Sequence, residues 1–276
     1  MVEEVKHVKK ASHGPGFVIL MTLVIAVFLV ILTFVVLYFT GVRYLKVSFT
    51  DGSYIKFFGT VTKTNEINKG NLYYSDGTTA KIDLKTTSVT YSNGSVYVGP
   101  LVNLQRNGRG KLTFANGDVY EGDFVNDRMT GEGLYTFSNG DTYEGGFKNG
   151  KKDGYGIYTI AADGSTYKGD FVSDAKHGKG VYRWADGSSY DGEFYNDVKH
   201  GYGVFTFANG DVYSGNFVND VRSGSGTYVW ADSGDQYTGE FLNNLMNGWG
   251  TYRWASGRIY EGLFQNGVIV RIENEG

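Results

Sequence analysis

The sequence of 276 residues contains no cysteine and only two prolines, Pro15 and Pro100. Without cysteine the chain forms no disulfide, uses no thiol nucleophile and offers no thiolate ligand to zinc. An overall basic charge is also absent, because the formal net charge is −3 and the pI is near 5.8. These absences exclude a disulfide scaffold and argue against nucleic acid as a partner.

Glycine and aromatic residues are abundant instead, with 41 Gly, 22 Tyr and 18 Phe. Disordered chains contain few aromatic residues, whereas short strands joined by tight turns use both glycines and rings. The composition therefore predicts a folded, β-rich protein.

The segment 17–39 reads FVILMTLVIAVFLVILTFVVLYF and contains no charged residue. An α-helix of this length spans a hydrocarbon core of about 30 Å. A signal peptide has a shorter apolar region followed by small residues at a cleavage site, and no such site follows here. A soluble helix that is apolar on every side would need a large core around it, which the rest of the sequence does not offer. We therefore predict one retained transmembrane helix and a single-pass location in the cell membrane.

The charges that flank this helix nearly balance. Three basic residues precede it and three follow it: Lys6, Lys9, Lys10, Arg43, Lys46 and Lys56. A short basic tail before an uncleaved first helix usually stays in the cytoplasm, so we predict that the remainder of the chain is extracytoplasmic. The near-equal count leaves the opposite orientation open.

A 23-residue repeat fills the remainder of the sequence. A Tyr-x-Gly triplet recurs every 23 or 24 residues, at Tyr97, Tyr120, Tyr143, Tyr167, Tyr190, Tyr213, Tyr237 and Tyr260. A Gly-x-Gly follows each triplet except the last, and a turn signal such as Asn116-Gly117 precedes each one. In each unit we predict a first strand such as Tyr120 to Phe124, a loop such as Val125 to Thr130, and a second strand such as Gly178 to Trp184. The Asn-Gly pair supplies the positive φ of a tight hairpin turn.

The predicted fold class is all-β: an elongated, single-layer antiparallel β-meander of hairpin repeats, preceded by one transmembrane α-helix. Weaker copies of the pattern begin near Leu45, and the turn at Asn266-Gly267 predicts a closing strand. The predicted segments are an N-terminal tail (1–16), the transmembrane helix (17–39), degenerate first repeats (45–96), seven regular repeats (97–267), and a closing strand and tail (268–276).

These motifs resemble the MORN (membrane occupation and recognition nexus) repeat family. The Tyr-x-Gly-x-Phe strand, the Gly-x-Gly and the Asn-Gly-Asp-x-Tyr turn, as at residues 116–120, carry the resemblance. It implies a twisted, grooved β-meander that acts in scaffolding, in homo-oligomerisation, in organising membranes or in contacting phospholipids. We predict no cofactor.

Alternation along the strands places one aromatic residue after another on a single face of the predicted sheet. Most of these rings can serve as core, but an exposed aromatic strip marks a binding site. We predict a groove in the C-terminal half formed by Tyr182, Trp184, Tyr228, Trp230, Trp249, Tyr252 and Trp254.

The two long edges of the predicted sheet differ in charge. The hairpin loops carry a basic edge of Arg106, Lys152, Lys176, Lys199 and Arg222. The turns at the other edge carry Asp118, Asp141, Asp163, Asp186 and Asp211. The cations suit lipid phosphates, although ordinary solubility explains them equally well.

No catalytic or metal-binding constellation emerges from the sequence. His177 and His200 occupy a repeat position that elsewhere holds Asn, Thr, Asp or Ser, as a loop tip would. We therefore predict a non-enzymatic, membrane-anchored scaffold or adaptor that binds a protein partner or phospholipid near the bilayer. The alternative is an extracytoplasmic module whose groove stacks the sugar rings of an envelope glycan.

Overall fold

The computed structural model describes residues 15–270. Residues 1–14 of the predicted N-terminal tail, with Lys6, Lys9 and Lys10, and residues 271–276 of the C-terminal tail lie outside the described residues. The chain divides into two compact units, Met1–Ser92 and Asn93–Gly276, which are considered in turn.

The first unit begins with helix α1 (Pro15–Phe39). Its segment Val18–Phe39 has a mean hydropathy of 3.2, and none of this segment is buried against the protein. An exposed helix that is apolar on every side has no favourable partner in water. Its length and composition fit a membrane span, and they also fit a signal sequence.

Five antiparallel strands follow in the first unit. They are β1 (Val42–Ser48), β2 (Tyr54–Val61), β3 (Ile67–Tyr74), β4 (Thr79–Asp83) and β5 (Ser88–Tyr91). Each strand pairs with the next, and the buried side chains include Ile55, Phe57, Leu72 and Ile82. Strand β1 begins three residues after the last residue of α1, so only a short segment connects the helix to this sheet.

The second unit is an antiparallel meander. Its strands are β6 (Val96–Val98), β7 (Leu101–Val102), β8 (Gln105–Arg106), β9 (Gly108–Thr113), β10 (Val119–Val125), β11 (Arg128–Thr136), β12 (Thr142–Lys148), β13 (Lys151–Thr159), β14 (Thr166–Val172), β15 (Ala175–Arg183), β16 (Ser189–Tyr195), β17 (Val198–Thr206), β18 (Val212–Val218), β19 (Val221–Val229), β20 (Gln236–Leu242), β21 (Leu245–Arg253), β22 (Ile259–Gln265) and β23 (Val268–Ile269). Strand β6 pairs with β9, each strand from β9 onward pairs with the next, and β7 and β8 form a separate short ribbon. The predicted class, a β-meander of hairpin repeats, is confirmed.

The hairpin turns alternate between two types. In the first type, the Phe114 N–H donates to the Asp118 carbonyl, and Gly117 has φ +92°. This is a type I turn closed by a left-handed glycine, so only the glycine of the Asn-Gly pair has a positive φ. In the second type, Asn126 and Asp127 both have positive φ (48° and 67°), which is a two-residue turn. The predicted loop from Val125 to Thr130 is therefore wrong: strands β10 and β11 extend to within two residues of each other.

A β-bulge interrupts each long hairpin. In β14 and β15 the register shifts between Gly169 and Asp170, next to Gly178 at φ +61°. Gly180, two residues further on, lies under the ring of Tyr167, and a Cβ there would approach that ring to 2.5 Å. The two glycines of Gly-x-Gly thus have separate roles, the first in the bulge and the second beneath a packed ring.

The core of the second unit is one row of buried rings on one face of the sheet, which we call the inner row. Tyrosines and phenylalanines alternate along it at centroid distances near 5 Å, edge to face: Tyr97, Phe124, Tyr120, Phe147, Tyr143, Phe171, Tyr167, Phe194, Tyr190, Phe217, Tyr213, Phe241, Tyr237, Phe264 and Tyr260. Edge-to-face contact suits the charge distribution of aromatic rings. Burial raises the pKa of Tyr213 to about 12, while its hydroxyl donates to the Asn216 carbonyl at 3.0 Å.

Candidate functional site

A second row of rings, the outer row, lies on the same face as the inner row. Cross-strand pairing of Tyr120 with Tyr135 and of Tyr213 with Tyr228 places the two rows side by side. The outer-row rings are half-buried and contact one another at 4.4–5.8 Å. They are Phe114, Tyr135, Phe137, Tyr158, Tyr182, Trp184, Phe205, Phe207, Tyr228, Trp230, Tyr252 and Trp254.

Aspartates bind the hydroxyls of four outer-row tyrosines: Tyr135, Tyr158, Tyr228 and Tyr252. Asp211 accepts a hydrogen bond from the Tyr228 hydroxyl at 2.6 Å and from the Ala231 N–H at 2.8 Å, one repeat further on. These two bonds lower the pKa of Asp211. Asp118, Asp141 and Asp235 bond to the tyrosine seventeen residues on in the same way.

The predicted acidic edge therefore combines two different positions. Asp118, Asp141 and Asp211 are buried and join successive repeats. Asp163 and Asp186 lie earlier in their turns and accept bonds from the N–H groups of Ser165 and Ser188. The residue after the turn glycine distinguishes the two positions in the sequence. Where this residue is Ser, the aspartate two residues before it bonds within its own turn and does not reach the next repeat.

The predicted basic residues reach over the rings. Lys199 Nζ lies 5.6 Å from the centroids of Trp184 and Phe205, and the guanidinium carbon of Arg222 lies 5.2 Å from Tyr228. Lys152 and Lys176 lie in the same way over neighbouring rings, including Tyr158 at 4.9 Å and Tyr182 at 5.2 Å. Burial lowers the pKa of both Lys152 and Arg222.

The structure thus places the predicted basic edge and most of the predicted groove on one surface. We call this surface the aromatic–cation strip. It comprises Lys152, Tyr158, Lys176, Tyr182, Trp184, Lys199, Phe205, Arg222, Tyr228, Trp230, Tyr252 and Trp254. Arg106 lies further toward the N-terminus, over Phe124 at 5.3 Å.

Carboxylates of the neighbouring two-residue turns partly neutralise these cations. Arg106 pairs with Asp127 at 3.0 Å, and Lys199 pairs with Asp220 at 3.1 Å. The Lys176 ammonium lies 3.9 Å from Asp197. Cations that already have a carboxylate partner bind a lipid phosphate less strongly than unpaired cations would.

A small cavity opens in the strip where an aliphatic residue interrupts the outer row. Ile160 takes the ring position between Tyr158 and Tyr182, and the cavity beside it has a volume of about 140 Å³. Lys152 and Asp174 are among its lining residues, so the cavity presents both charges beside apolar walls.

Trp249 lies apart from this strip. In β21 it alternates with Gly248, Gly250 and Tyr252, so its side chain lies on the other face of the sheet, which we call the opposite face. It is 66% exposed. The predicted loop-tip position of the two histidines is wrong, because His177 lies within β15 and His200 within β17. His177 is opposite Asp170 in the strand ladder, and its side chain is also on the opposite face. His200 is exposed, and both histidine rings lie within 6.0 Å of Tyr195.

Fold and site together define a hairpin-repeat protein with an extended surface of aromatic rings and cations. The MORN repeat family model matches seven segments of the chain: 105–119, 120–142, 143–164, 167–189, 190–212, 213–234 and 237–257. The chain belongs to the MORN repeat family.

Solved structures with a similar course of the chain are distant. The TCP domain of SAS-4 (dCPAP) from Drosophila melanogaster, solved with a proline-rich motif of Ana2, is 14% identical with a TM-score of 0.38, over 64% of this chain and 88% of that one. The TCP10 domain of Danio rerio CPAP, solved with a STIL peptide, is 11% identical with a TM-score of 0.37, over 80% and 84%. BamB from Moraxella catarrhalis is 12% identical with a TM-score of 0.16, over 82% of each chain. A search of curated protein sequences finds no match.

Proposed function

We propose that this protein is a membrane-anchored, non-enzymatic scaffold whose aromatic–cation strip binds an extended segment of a protein partner. Membership of the MORN repeat family supports a scaffold or binding role. The unburied apolar helix α1 supports the anchor, since a bilayer removes from water the surface that the protein leaves exposed. The side of the membrane on which the repeats lie stays a prediction, as does homo-oligomerisation.

One observation carries the proposal: cations lie over half-buried rings at the same position in consecutive repeats. Lys152, Lys176, Lys199 and Arg222 recur once per hairpin, which is about 10 Å along the sheet. An extended peptide covers that distance with about three residues. Aromatic residues and Arg are also the residues that contribute most to protein interfaces.

The pairing of these cations favours a peptide over a phospholipid. Each of Lys176 and Lys199 has a carboxylate beside it, Asp197 and Asp220 respectively. Such a surface offers both donors and acceptors, and a peptide main chain presents both at every residue. A lipid phosphate presents only acceptors, so the turn carboxylates would oppose it.

The packing of the outer row also disfavours sugar stacking on the strip. The ring of Trp184 lies between Tyr182 at 4.4 Å and Phe205 at 5.2 Å. Trp230 lies between Tyr228 and Tyr252 in the same manner. Neighbouring rings thus cover much of the indole surface on which a sugar ring would have to stack.

The test is co-purification of associated protein with the full-length chain from its own membranes. We expect the double variant Trp184→Ala/Trp230→Ala to weaken association by at least roughly tenfold, as loss of buried aromatic anchors does. Lys176→Gln/Lys199→Gln should also weaken it. The matched control is Tyr155→Ala, which removes an exposed ring from the opposite face.

Circular dichroism must show that each variant keeps its β-structure before its binding is compared. If folded strip variants retain the same associated protein at wild-type level, the strip is not the binding surface.

A further inference from the structure

The opposite face carries an open trough in the C-terminal repeats. Tyr202 on β17 and Trp249 on β21 stand at its two ends, 56% and 66% exposed. Four strand-to-strand steps separate them, or about 19 Å. The trough has a volume of about 540 Å³, and between the two rings its floor consists of glycine backbone and small polar side chains.

The floor of the trough is nearly uncharged, unlike the face around it. Earlier repeats carry charged residues at the two positions that flank the glycine of Tyr-x-Gly-x-Phe: Glu121, Asp123, Glu144, Lys168, Asp170, Asp191 and Glu193. Within the trough these positions hold Ser214, Asn216 and Thr238, with Glu240 as the one carboxylate among the lining residues. Ser225 and Thr227 on β19 complete the floor.

The floor presents hydrogen-bonding groups to solvent. The hydroxyls of Thr227 and Thr238 lie 3.0 Å apart, so one donates to the other and the pair retains one hydroxyl proton for a ligand. The exposed Asn216 uses its Nδ2 to donate to the Ser225 carbonyl at 3.1 Å, and its Oδ1 is an acceptor that a ligand can use.

We infer that this trough binds an uncharged glycan chain of several sugar units. The C–H face of a sugar ring packs on the negative face of an aromatic ring, and Tyr202 and Trp249 offer such faces to solvent at both ends. Between them, sugar hydroxyls meet hydroxyl, amide and carboxylate partners. Glu240, which lines the trough, opposes an anionic glycan, so the inferred ligand is neutral.

A polyproline segment fits this surface less well. Such a helix rises about 3.1 Å per residue, so about six residues would separate the two rings. Grooves that bind polyproline are lined with aromatic residues along their length, whereas this floor is polar. The site lies on the opposite face from the aromatic–cation strip, so it does not depend on the proposed function.

The experiment measures binding of cellohexaose, chitohexaose, mannohexaose and maltohexaose to the full-length chain. The protein is kept in a detergent without a sugar headgroup, because a glycosidic detergent would compete. Titration calorimetry gives the affinity, and tryptophan fluorescence reports on Trp249, which is exposed. We expect at least one of the four oligosaccharides to bind at millimolar or lower concentration.

Trp249→Ala and Tyr202→Ala, each shown to be folded by circular dichroism, should weaken that binding by roughly tenfold or more, which is about 1.4 kcal/mol or more, because each removes a ring on which a sugar unit packs. Tyr155→Ala is the matched control, since Tyr155 occupies the same repeat position with 55% exposure but lies outside the trough. The proposal is overturned if none of the four oligosaccharides binds. It is equally overturned if binding survives the loss of both rings or falls as much with Tyr155→Ala.

Discussion

Asp211 illustrates how single residues join one repeat to the next. Its two carboxylate oxygens accept the Tyr228 hydroxyl and the Ala231 N–H, both from the following hairpin turn or strand. In three other repeats a serine takes this position, namely Ser95, Ser165 and Ser188, and Ser165 accepts the N–H of Ala185 at 3.1 Å. The aspartate thus adds a bond to the outer-row tyrosine that the serine does not make.

Replacement of Asp211 should therefore show a graded loss of stability. We expect Asp211→Ala to lower the free energy of unfolding by about 1–3 kcal/mol, because a buried N–H and a hydroxyl lose a charged acceptor. Asp211→Ser should cost less, since Ser can still accept from Ala231. Urea unfolding of the full chain in detergent measures both, with exposed His200→Ala as the control. Equal loss for Asp211→Ala and His200→Ala would contradict the role assigned to Asp211.

The positions of single side chains were the part of the site that the sequence predicted least well. Period-two alternation placed Trp184 and Trp230 on one face, where the structure also has them. Trp249 is close to Tyr252 in sequence and was assigned to the same groove, but the two are three positions apart, so alternation alone places Trp249 on the opposite face. Burial of Asp211 depends on a partner in the next repeat, which one repeat read alone does not reveal.

At the scale of elements, the repeat period predicted the hairpins but not their inner geometry. The Asn-Gly pairs predicted one set of turns. The shorter turns occur at sequences such as Asn126-Asp127 and Asn196-Asp197, which were not predicted to be turns from the sequence. Both residues of these turns have positive φ, which Asn and Asp tolerate better than most residues. The bulges beside Gly178 and its equivalents were also missed, because a bulge changes the register without changing the repeat length.

Those turns and bulges explain why the two predicted surfaces coincide. Since the hairpin is closed by two residues, Lys176 and Lys199 lie within strands β15 and β17 and not in loops at the edge. Each pairs across the ladder with an inner-row phenylalanine, Phe171 or Phe194, and so shares the aromatic face. A loop of the predicted length would have left the cations at the periphery.

Helix α1 is the element whose role is tested most simply. Membranes that contain the full-length chain should retain it through washes with salt and alkali and release it only to detergent. Introducing charge by Val27→Lys/Leu32→Lys should abolish this retention, because each charge near the centre of a span costs about 2.5–3.5 kcal/mol. The conservative pair Val27→Leu/Leu32→Val is the control. Release by alkali alone, or a mature chain that lacks the segment 18–39, would contradict the anchor.

At the scale of the whole molecule, the repeat unit presents two distinct surfaces. The aromatic face buries the inner row and leaves the aromatic–cation strip half-exposed, while the opposite face carries the trough between Tyr202 and Trp249. A sheet of one layer leaves both faces open to partners. The same hairpin period that builds the core therefore also sets the spacing of the cations along the strip.

Site-specific photo-crosslinking in intact membranes tests the central claim most directly. Two variants are compared. In one, a photoreactive phenylalanine analogue replaces Trp230 in the strip; in the other, it replaces Tyr155 on the opposite face. The account predicts a discrete protein adduct from position 230 that is absent from position 155 and is lost when Lys199 and Arg222 are replaced by Gln. Adducts of equal yield from both positions, or an adduct from position 155 alone, would contradict it.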